Sequence, residues 1–120
     1  MNKMVIGVSV VVLVIAGLLL ASIGGKNLDN FATCVTQSGV KMYGAYWCPH
    51  CQNQKNLFGS SFDKINYIEC ALPNNQGQTE ACNQAGIQSY PTWEFNDGQR
   101  IEGEMSLQAI SQMTECILQQ

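Results

Sequence analysis

The sequence is poor in charge and in histidine, and it lacks any cluster of basic residues. Charged residues make up 12% of the chain, against roughly 25% in an average soluble domain. Six basic and nine acidic side chains give a formal net charge of −3, which argues against a nucleic-acid-binding protein. The 120 residues also contain no internal repeat and no low-complexity tract. We therefore expect one domain. The low fraction of charged residues also indicates an apolar segment elsewhere in the chain.

The apolar segment follows a short tail of residues 1–4 and covers residues 5–24 without a single charge. About 19 apolar or small residues form roughly 29 Å of helix, close to the ~30 Å hydrocarbon core of a bilayer. This length predicts one transmembrane anchor. The alternative is a cleaved signal peptide, although the run is longer than a usual h-region and ASIGG is a poor cleavage site. Both interpretations export the domain of residues 25–120 to the periplasmic or outer face of the membrane.

Six cysteines in so short a chain are typical of an oxidising compartment, where disulfides persist. Cys48 and Cys51 form a C-x-x-C motif that encloses Pro49 and His50. A zinc or copper site would need two further ligands, yet there is no second C-x-x-C and no other histidine. Gln52 stands where a c-type haem motif requires histidine. The remaining interpretations are a redox-active disulfide, which we favour, and a structural one, and neither needs a metal or an organic cofactor.

The hydrophobic pattern predicts an α/β domain with the element order α-β-α-β-α-β-β-α. Gly39, Gly59 and Gly86 mark helix ends, and Asp97-Gly98 is typical of a hairpin turn. The predicted helices cover residues 28–38, 49–59, 79–86 and 107–118, and the predicted strands cover residues 40–47, 65–72, 90–95 and 100–104. The C-x-x-C motif therefore lies at a strand-to-helix junction.

This junction suits thiol–disulfide exchange, in which a thiolate is the nucleophile and a second thiol must lie within reach. Unpaired N–H groups and the helix dipole favour negative charge on Cys48, while Cys51 turns inward as the resolving thiol. His50 either adds a hydrogen-bond donor near the Cys48 thiolate or is an exposed histidine without a role. We expect an apolar surface around the sulfur, and support of the site by the neighbours Tyr46, Trp47, Pro49 and His50.

The motif YWCPHC, followed by SYPTWEF, resembles the thioredoxin superfamily. More closely, FATCVTQSGVKMYGAYWCPHCQNQKNLFG, NYIEC and SYPTWEF are similar to the thioredoxin-like domain attached to bacterial homologues of vitamin K epoxide reductase. The CPHC sequence is similar to that of bacterial disulfide-forming oxidases. The resemblance covers nearly all of residues 28–116 and implies a central mixed sheet flanked by helices.

The same resemblance implies a second part of the site, formed by Tyr90, Pro91 and Thr92. The Tyr90–Pro91 bond is expected to be cis, with Pro91 against the disulfide and the Tyr90 backbone free to pair with a substrate strand. The alternative is an ordinary trans proline on an edge strand. Trp93 alternates with Phe95 and is expected in the core.

Two departures from the family pattern bear on mechanism. Thioredoxins carry a buried carboxylate six residues before the first cysteine, where this sequence has Met42, so the proton acceptor for Cys51 is open. The four-helix membrane bundle that accompanies the domain in the fused relatives is also absent, because the sequence has a single apolar segment of spanning length. The resemblance then implies that the electron partner is a separate membrane protein.

The four other cysteines fall into two pairs. Cys70 and Cys82 flank the PNNQGQ loop and are expected to form a structural disulfide, with a second redox pair that relays electrons as the alternative. Cys34 and Cys116 are either buried free thiols or a third disulfide.

These observations predict a membrane-anchored extracytoplasmic thiol–disulfide oxidoreductase. It would oxidise thiols of exported proteins and be re-oxidised by a membrane partner of the vitamin K epoxide reductase type. One alternative is a reductase or isomerase of exported disulfides. Another, from a different class, is a redox-inert adaptor domain in a membrane complex.

Overall fold

The structure is a computed structural model and describes residues 27–119 of the chain. Among these residues no helix is both long enough and apolar enough to cross a bilayer. The predicted anchor over residues 5–24 and the tail of residues 1–4 lie outside this range. The expectation that residues 5–24 span a membrane therefore stays a prediction.

Helices and strands follow one another in the predicted order, although the strands are shorter than expected. Two short 3-10 helices, Gly59–Lys64 and Pro73–Asn75, occupy parts of the connections. The elements in chain order are α1 (Asp29–Gln37), β1 (Lys41–Gly44), α2 (Pro49–Phe58), β2 (Tyr67–Glu69), α3 (Glu80–Gln84), β3 (Thr92–Glu94), β4 (Arg100–Glu102) and α4 (Leu107–Thr114).

The four strands form one mixed sheet in the order β2-β1-β3-β4. Strand β1 pairs with β2 in parallel, because α2 carries the chain back across the sheet between them. Strands β1 and β3 are antiparallel, as are β3 and β4, which a tight turn joins at Gly98 with a φ of +84°. This is the central mixed sheet that the family resemblance implied.

The hydrophobic core lies between the sheet and the helices. Trp93 on β3 is completely buried, as expected, and its ring lies 6.3 Å from that of Phe58 at the end of α2. Phe58 also stacks on Phe31 of α1 at 6.1 Å. The other large, completely buried side chains of this core are Val35, Met42 and Ile110. Helices α1, α2 and α4 are therefore fixed against the sheet by one continuous apolar cluster.

The prediction of a helix over residues 107–118 is wrong for its last four residues, 115–118. Helix α4 ends at Thr114, and Glu115 has a left-handed backbone with a φ of 61°. This turn takes Cys116 out of the helix and toward α1, where it forms a disulfide with Cys34. Ile117, the residue after this disulfide cysteine, is 81% exposed. The cross-link and the turn together override the helical periodicity of the sequence.

Gln54 of α2 is completely buried and ties the helix to two other elements. Its Oε1 accepts hydrogen bonds from the Trp93 indole N–H at 3.2 Å and from the Met105 amide at 2.7 Å. Its Nε2 donates to the Met105 carbonyl at 2.9 Å. Because all these groups are buried, each would lose water without gaining a partner if Gln54 were apolar. The middle of α2 is thus held by polar contacts inside the core.

Replacement of Gln54 by methionine should therefore lower the free energy of unfolding by about 3 kcal/mol, since it leaves several buried polar groups without partners at nearly constant volume. Gln52→Met is the matched control, because Gln52 is exposed on the same helix, and we expect a change within about 0.5 kcal/mol. Urea denaturation of the disulfide-bonded protein measures both. Equal losses in the two variants would contradict the role given to Gln54.

Candidate active site

The C-x-x-C motif lies where β1 gives way to α2. Cys48 is the N-cap of the helix and Pro49 its first residue, where the missing proline N–H costs no hydrogen bond. The Cys48 Sγ accepts a hydrogen bond from the Cys51 amide at 3.3 Å. Both cysteines are free thiols in the structure. The helix terminus therefore places an N–H group directly on the first sulfur.

The two thiols have different surroundings. Cys48 retains 5% of its surface and Cys51 retains none. Burial, followed by the hydrogen bond to Cys48, raises the pKa of Cys51 to about 12. Gly44 makes this burial possible, since a Cβ at that position would lie only 3.1 Å from the Cys51 Sγ. Cys51 is thus the inner, protonated thiol, as the sequence pattern implied.

A second loop faces Cys48 and contains the Tyr90–Pro91 bond, which is cis as the family resemblance implied. The Cys48 Sγ donates to the Tyr90 carbonyl at 3.6 Å. The Pro91 carbonyl accepts from the Gly103 amide, and the Thr92 hydroxyl donates to the Ser89 carbonyl, both at 2.8 Å. Residues on both sides of the cis bond are therefore anchored, and the structure brings Tyr90 into contact with Cys48. Within residues 27–119, Pro91 and Thr92 make no hydrogen bond to the C-x-x-C motif.

Aromatic side chains border the Cys48 sulfur. Trp47 and Tyr46 are 54% and 44% exposed, and the Trp47 ring meets the Tyr90 ring edge-on at 5.8 Å. The Tyr90 hydroxyl donates to the Gln78 side chain, which links this loop to the turn after β2. A shallow groove of about 240 Å³ lies between them, lined by Trp47, Ala71, Asn75, Gly77, Gln78 and Tyr90. The groove offers a surface for a polypeptide next to Cys48.

His50 has a partner that the sequence analysis did not foresee. Its Nδ1 lies 2.8 Å from Oε2 of Glu104, in the segment between β4 and α4. The described residues show no hydrogen bond between His50 and Cys48, so the expected contact with the sulfur is replaced by this one. Glu104 lies 54 residues from His50 in sequence, and no local motif marks it. The imidazole is therefore oriented by a carboxylate at the rim of the site.

Behind Cys51 the structure groups three polar side chains that the sequence analysis did not single out. The Tyr67 hydroxyl donates to Oε2 of Glu69 at 3.2 Å, and the Lys55 Nζ lies 4.1 Å from the centre of the Tyr67 ring. Burial is the largest cause of a strongly raised pKa of Tyr67. Met42, where thioredoxins have a carboxylate, is fully buried and is paired with Tyr67 across β1 and β2.

The other cysteines are joined in disulfides. Cys70 is bonded to Cys82, the pair that the sequence analysis favoured, and the bridge closes the loop that carries Gln78. The bond between Cys34 and Cys116 decides the open question of those two residues in favour of a third disulfide pair. Within residues 27–119, no three side chains of the metal-ligating types come together.

Comparison with known proteins agrees with this geometry. The thioredoxin family model matches residues 24–116. The chain is 42% identical over 86 residues to the thiol-disulfide oxidoreductase LTO1 of Arabidopsis thaliana. The match covers 68% of this chain but 23% of that protein, so the chain spans about a quarter of the length of the relative.

The contrast between the two thiols predicts different alkylation rates in the reduced protein. At pH 7.5, about 4 to 5 units below the raised pKa, Cys51 exposes almost no thiolate, so iodoacetamide should modify Cys48 at least ~10-fold faster. The Cys51 rate should rise about tenfold for each pH unit up to pH 10, because the thiolate fraction does so below the pKa. Peptide mapping by mass spectrometry separates the two rates. Equal rates, or a faster Cys51, would reverse the assignment of inner and outer thiol.

Proposed function

Since the chain belongs to the thioredoxin family, we propose that it is a thiol–disulfide oxidoreductase in which Cys48 exchanges disulfides and Cys51 resolves them. The observation that carries this proposal is the pairing of Cys48 with two groups: its Sγ accepts from the Cys51 amide and donates to the Tyr90 carbonyl. Cys48 follows Trp47 and contacts Tyr90, and both of these residues line the groove, while Cys51 is completely buried.

The chemistry needs only sulfur and protons. In the oxidised domain a client thiolate attacks the Cys48 sulfur, the Cys48–Cys51 bond breaks, and Cys51 leaves and takes up a proton. A second client thiolate then attacks the client sulfur of the mixed disulfide and releases Cys48 as a thiolate. The client has lost two electrons and the domain has gained them. The Cys51 amide stabilises the released Cys48 thiolate by a hydrogen bond. No organic cofactor or metal takes part.

Client binding is proposed at the groove beside Cys48. An extended peptide can pair its backbone with the Tyr90 segment and pack side chains against the exposed face of Trp47. Gln78 fixes Tyr90 from behind, and the Cys70–Cys82 disulfide fixes the loop of Gln78. The surface that meets the client is therefore rigid before the client arrives, which lowers the entropy cost of binding.

The direction of electron flow is proposed to be oxidation of exported protein thiols, with re-oxidation by a membrane protein of the vitamin K epoxide reductase type. The CPHC sequence, the six cysteines and the apolar segment of residues 5–24 support this direction. In this proposal the segment anchors the domain at the outer or periplasmic face, and residues 24–27 span at most about 14 Å. That tether would hold Cys48 near a membrane-embedded partner at high effective concentration. A reductase or isomerase of exported proteins is the second candidate.

A Cys51→Ala variant should accumulate mixed disulfides with client proteins through Cys48, because the resolving thiol is missing. The matched control is Cys48→Ala, which should accumulate none, since the enclosed Cys51 cannot reach a client. Non-reducing gels with mass spectrometry of the trapped species make the comparison and identify the clients. A redox-inert adaptor would give no trapped species with either variant.

The reduction potential of the Cys48–Cys51 pair distinguishes an oxidase or isomerase from a reductase. An oxidase or isomerase should have a value between about −120 and −180 mV, and a reductase a value near −270 mV. We expect the former, because the helix terminus and the Cys51 amide stabilise the reduced form. Equilibration with glutathione buffers, read by alkylation of the free thiols, gives the value. A potential near −270 mV would replace the oxidase proposal by the reductase.

A further inference from the structure

Cys51 has a proton to exchange in every catalytic cycle, yet its surroundings give it no obvious acceptor. It is completely buried, and the residue that stands where thioredoxins carry a carboxylate is the apolar Met42, also completely buried. Burial also raises the pKa of Cys51 to about 12, so loss of the proton to bulk water is slow at neutral pH. Another group near Cys51 must therefore take the proton.

The Tyr67 side chain of β2 lies close to Cys51 of α2. Gly44 separates them, and a Cβ on Gly44 would lie 3.1 Å from the Cys51 Sγ and 3.1 Å from the Tyr67 hydroxyl. The sulfur and the hydroxyl oxygen are thus no more than about 6.2 Å apart, a gap that one hydrogen-bonded water spans. The absence of a side chain at Gly44 lets the Tyr67 ring come this close, since a Cβ there would lie only 2.8 Å from the Tyr67 Cε2.

The Tyr67 hydroxyl leads on to a carboxylate. It donates to Oε2 of Glu69 at 3.2 Å, and the same oxygen accepts from the Ala71 amide at 3.3 Å. Glu69 is only partly buried, so its carboxyl group can exchange protons with solvent. The charged groups around Tyr67 are Glu69 on β2 and Lys55 on α2, and Lys55 holds the ring by a cation–π contact at 4.1 Å.

We propose that Tyr67 and Glu69 form the proton path of Cys51, since the buried Met42 offers no carboxylate for this role. The inference rests on the proposed function, because it concerns the resolving step of the same thiol pair. In that step the Cys51 proton passes through one bridging water to the Tyr67 oxygen, while the Tyr67 hydroxyl proton passes to the Glu69 carboxylate. The Cys51 thiolate bonds to the Cys48 sulfur, the bond from Cys48 to the client sulfur breaks, and the client leaves as a thiolate with the electron pair.

Tyr67 acts in this path as a neutral relay. The strongly raised pKa of Tyr67 keeps the hydroxyl protonated, so it gives up one proton only as it receives another. Glu69 releases the proton to solvent afterwards. In the oxidising direction the same path runs in reverse, and delivers a proton to Cys51 as it leaves Cys48.

The test follows the two steps of reduced protein with dithiobis-nitrobenzoate, an aromatic disulfide whose released thiolate is coloured. Cys48 releases one thiolate in the first phase, and Cys51 releases the second as it resolves the mixed disulfide. Tyr67→Phe and Glu69→Gln should each slow the second phase about 10- to 100-fold at pH 7 and leave the first within about twofold, because only the second needs the path. In both variants the rate of the second phase should increase about tenfold for each unit by which the pH is raised, since hydroxide then removes the Cys51 proton.

Matched controls are Tyr43→Phe, which removes a tyrosine hydroxyl from β1, and Glu102→Gln, which removes an exposed carboxylate from β4. Neither should change either phase. The Tyr67→Phe/Glu69→Gln double variant should be no slower than the slower single variant, because both residues serve one path.

The possible failures are distinct. A wild-type protein with no second phase would contradict the role of Cys51 in the proposed function. If both variants have the same second-phase rate as the wild type at every pH, the proton path is overturned and the proposed function stays intact. Equal slowing of both phases would indicate a structural effect and would also reject the path. If Tyr67→Phe does not fold, Glu69→Gln alone decides, since it keeps the hydrogen-bond geometry.

Discussion

The position at which α2 begins is the constraint on which the functional part of this domain depends. The helix starts at Pro49, immediately after Cys48, so the Cys48 sulfur serves as the cap of the helix and meets the Cys51 amide. One turn further along, Gln54 holds the helix to Trp93 and Met105 inside the core. A shift of α2 by one residue would break both sets of contacts. The stability of the core and the geometry of the thiol pair are therefore fixed by the same helix.

Sequence reasoning succeeds here where the signal is local. The strand-to-helix junction at Cys48, the inward direction of Cys51 and the order of the elements all follow from short patterns of proline, glycine and apolar residues. The loop of Tyr90 and Pro91 came from family resemblance rather than from any pattern of its own. The turn after α4 shows the limit, because a helical repeat continues past Thr114 while the Cys34–Cys116 disulfide takes the chain elsewhere. Periodicity carries no information about a covalent bond between residues 82 positions apart.

The hydrogen-bond partners of His50 and Tyr67 could not be predicted either, because they too depend on the tertiary structure. Glu104 contacts His50 because β4 ends beside the start of α2. Glu69 contacts Tyr67 because both side chains project from the same face of β2. Spacing of two along β2 could have suggested the second pair, but nothing in the sequence shows that this face of β2 lies behind Cys51. That fact depends on the register that sets Gly44 opposite Glu69. Tertiary register, not composition, decides which polar groups surround the thiols.

A methionine at position 42, where thioredoxins carry a carboxylate, is physically tolerable because Tyr67 and Glu69 on the neighbouring strand can serve in its place. A methionine at that position fills the core and removes the cost of a buried charge. The missing carboxylate is a disadvantage only if Cys51 then has no other group with which to exchange its proton. Gly44 admits the Tyr67 hydroxyl to the same space, and Glu69 carries the charge at the partly exposed end of the strand, where solvation is cheaper. The proton is exchanged at the buried Cys51, whereas the negative charge is held by Glu69 at the partly exposed end of β2. The Tyr67 hydroxyl connects these two positions.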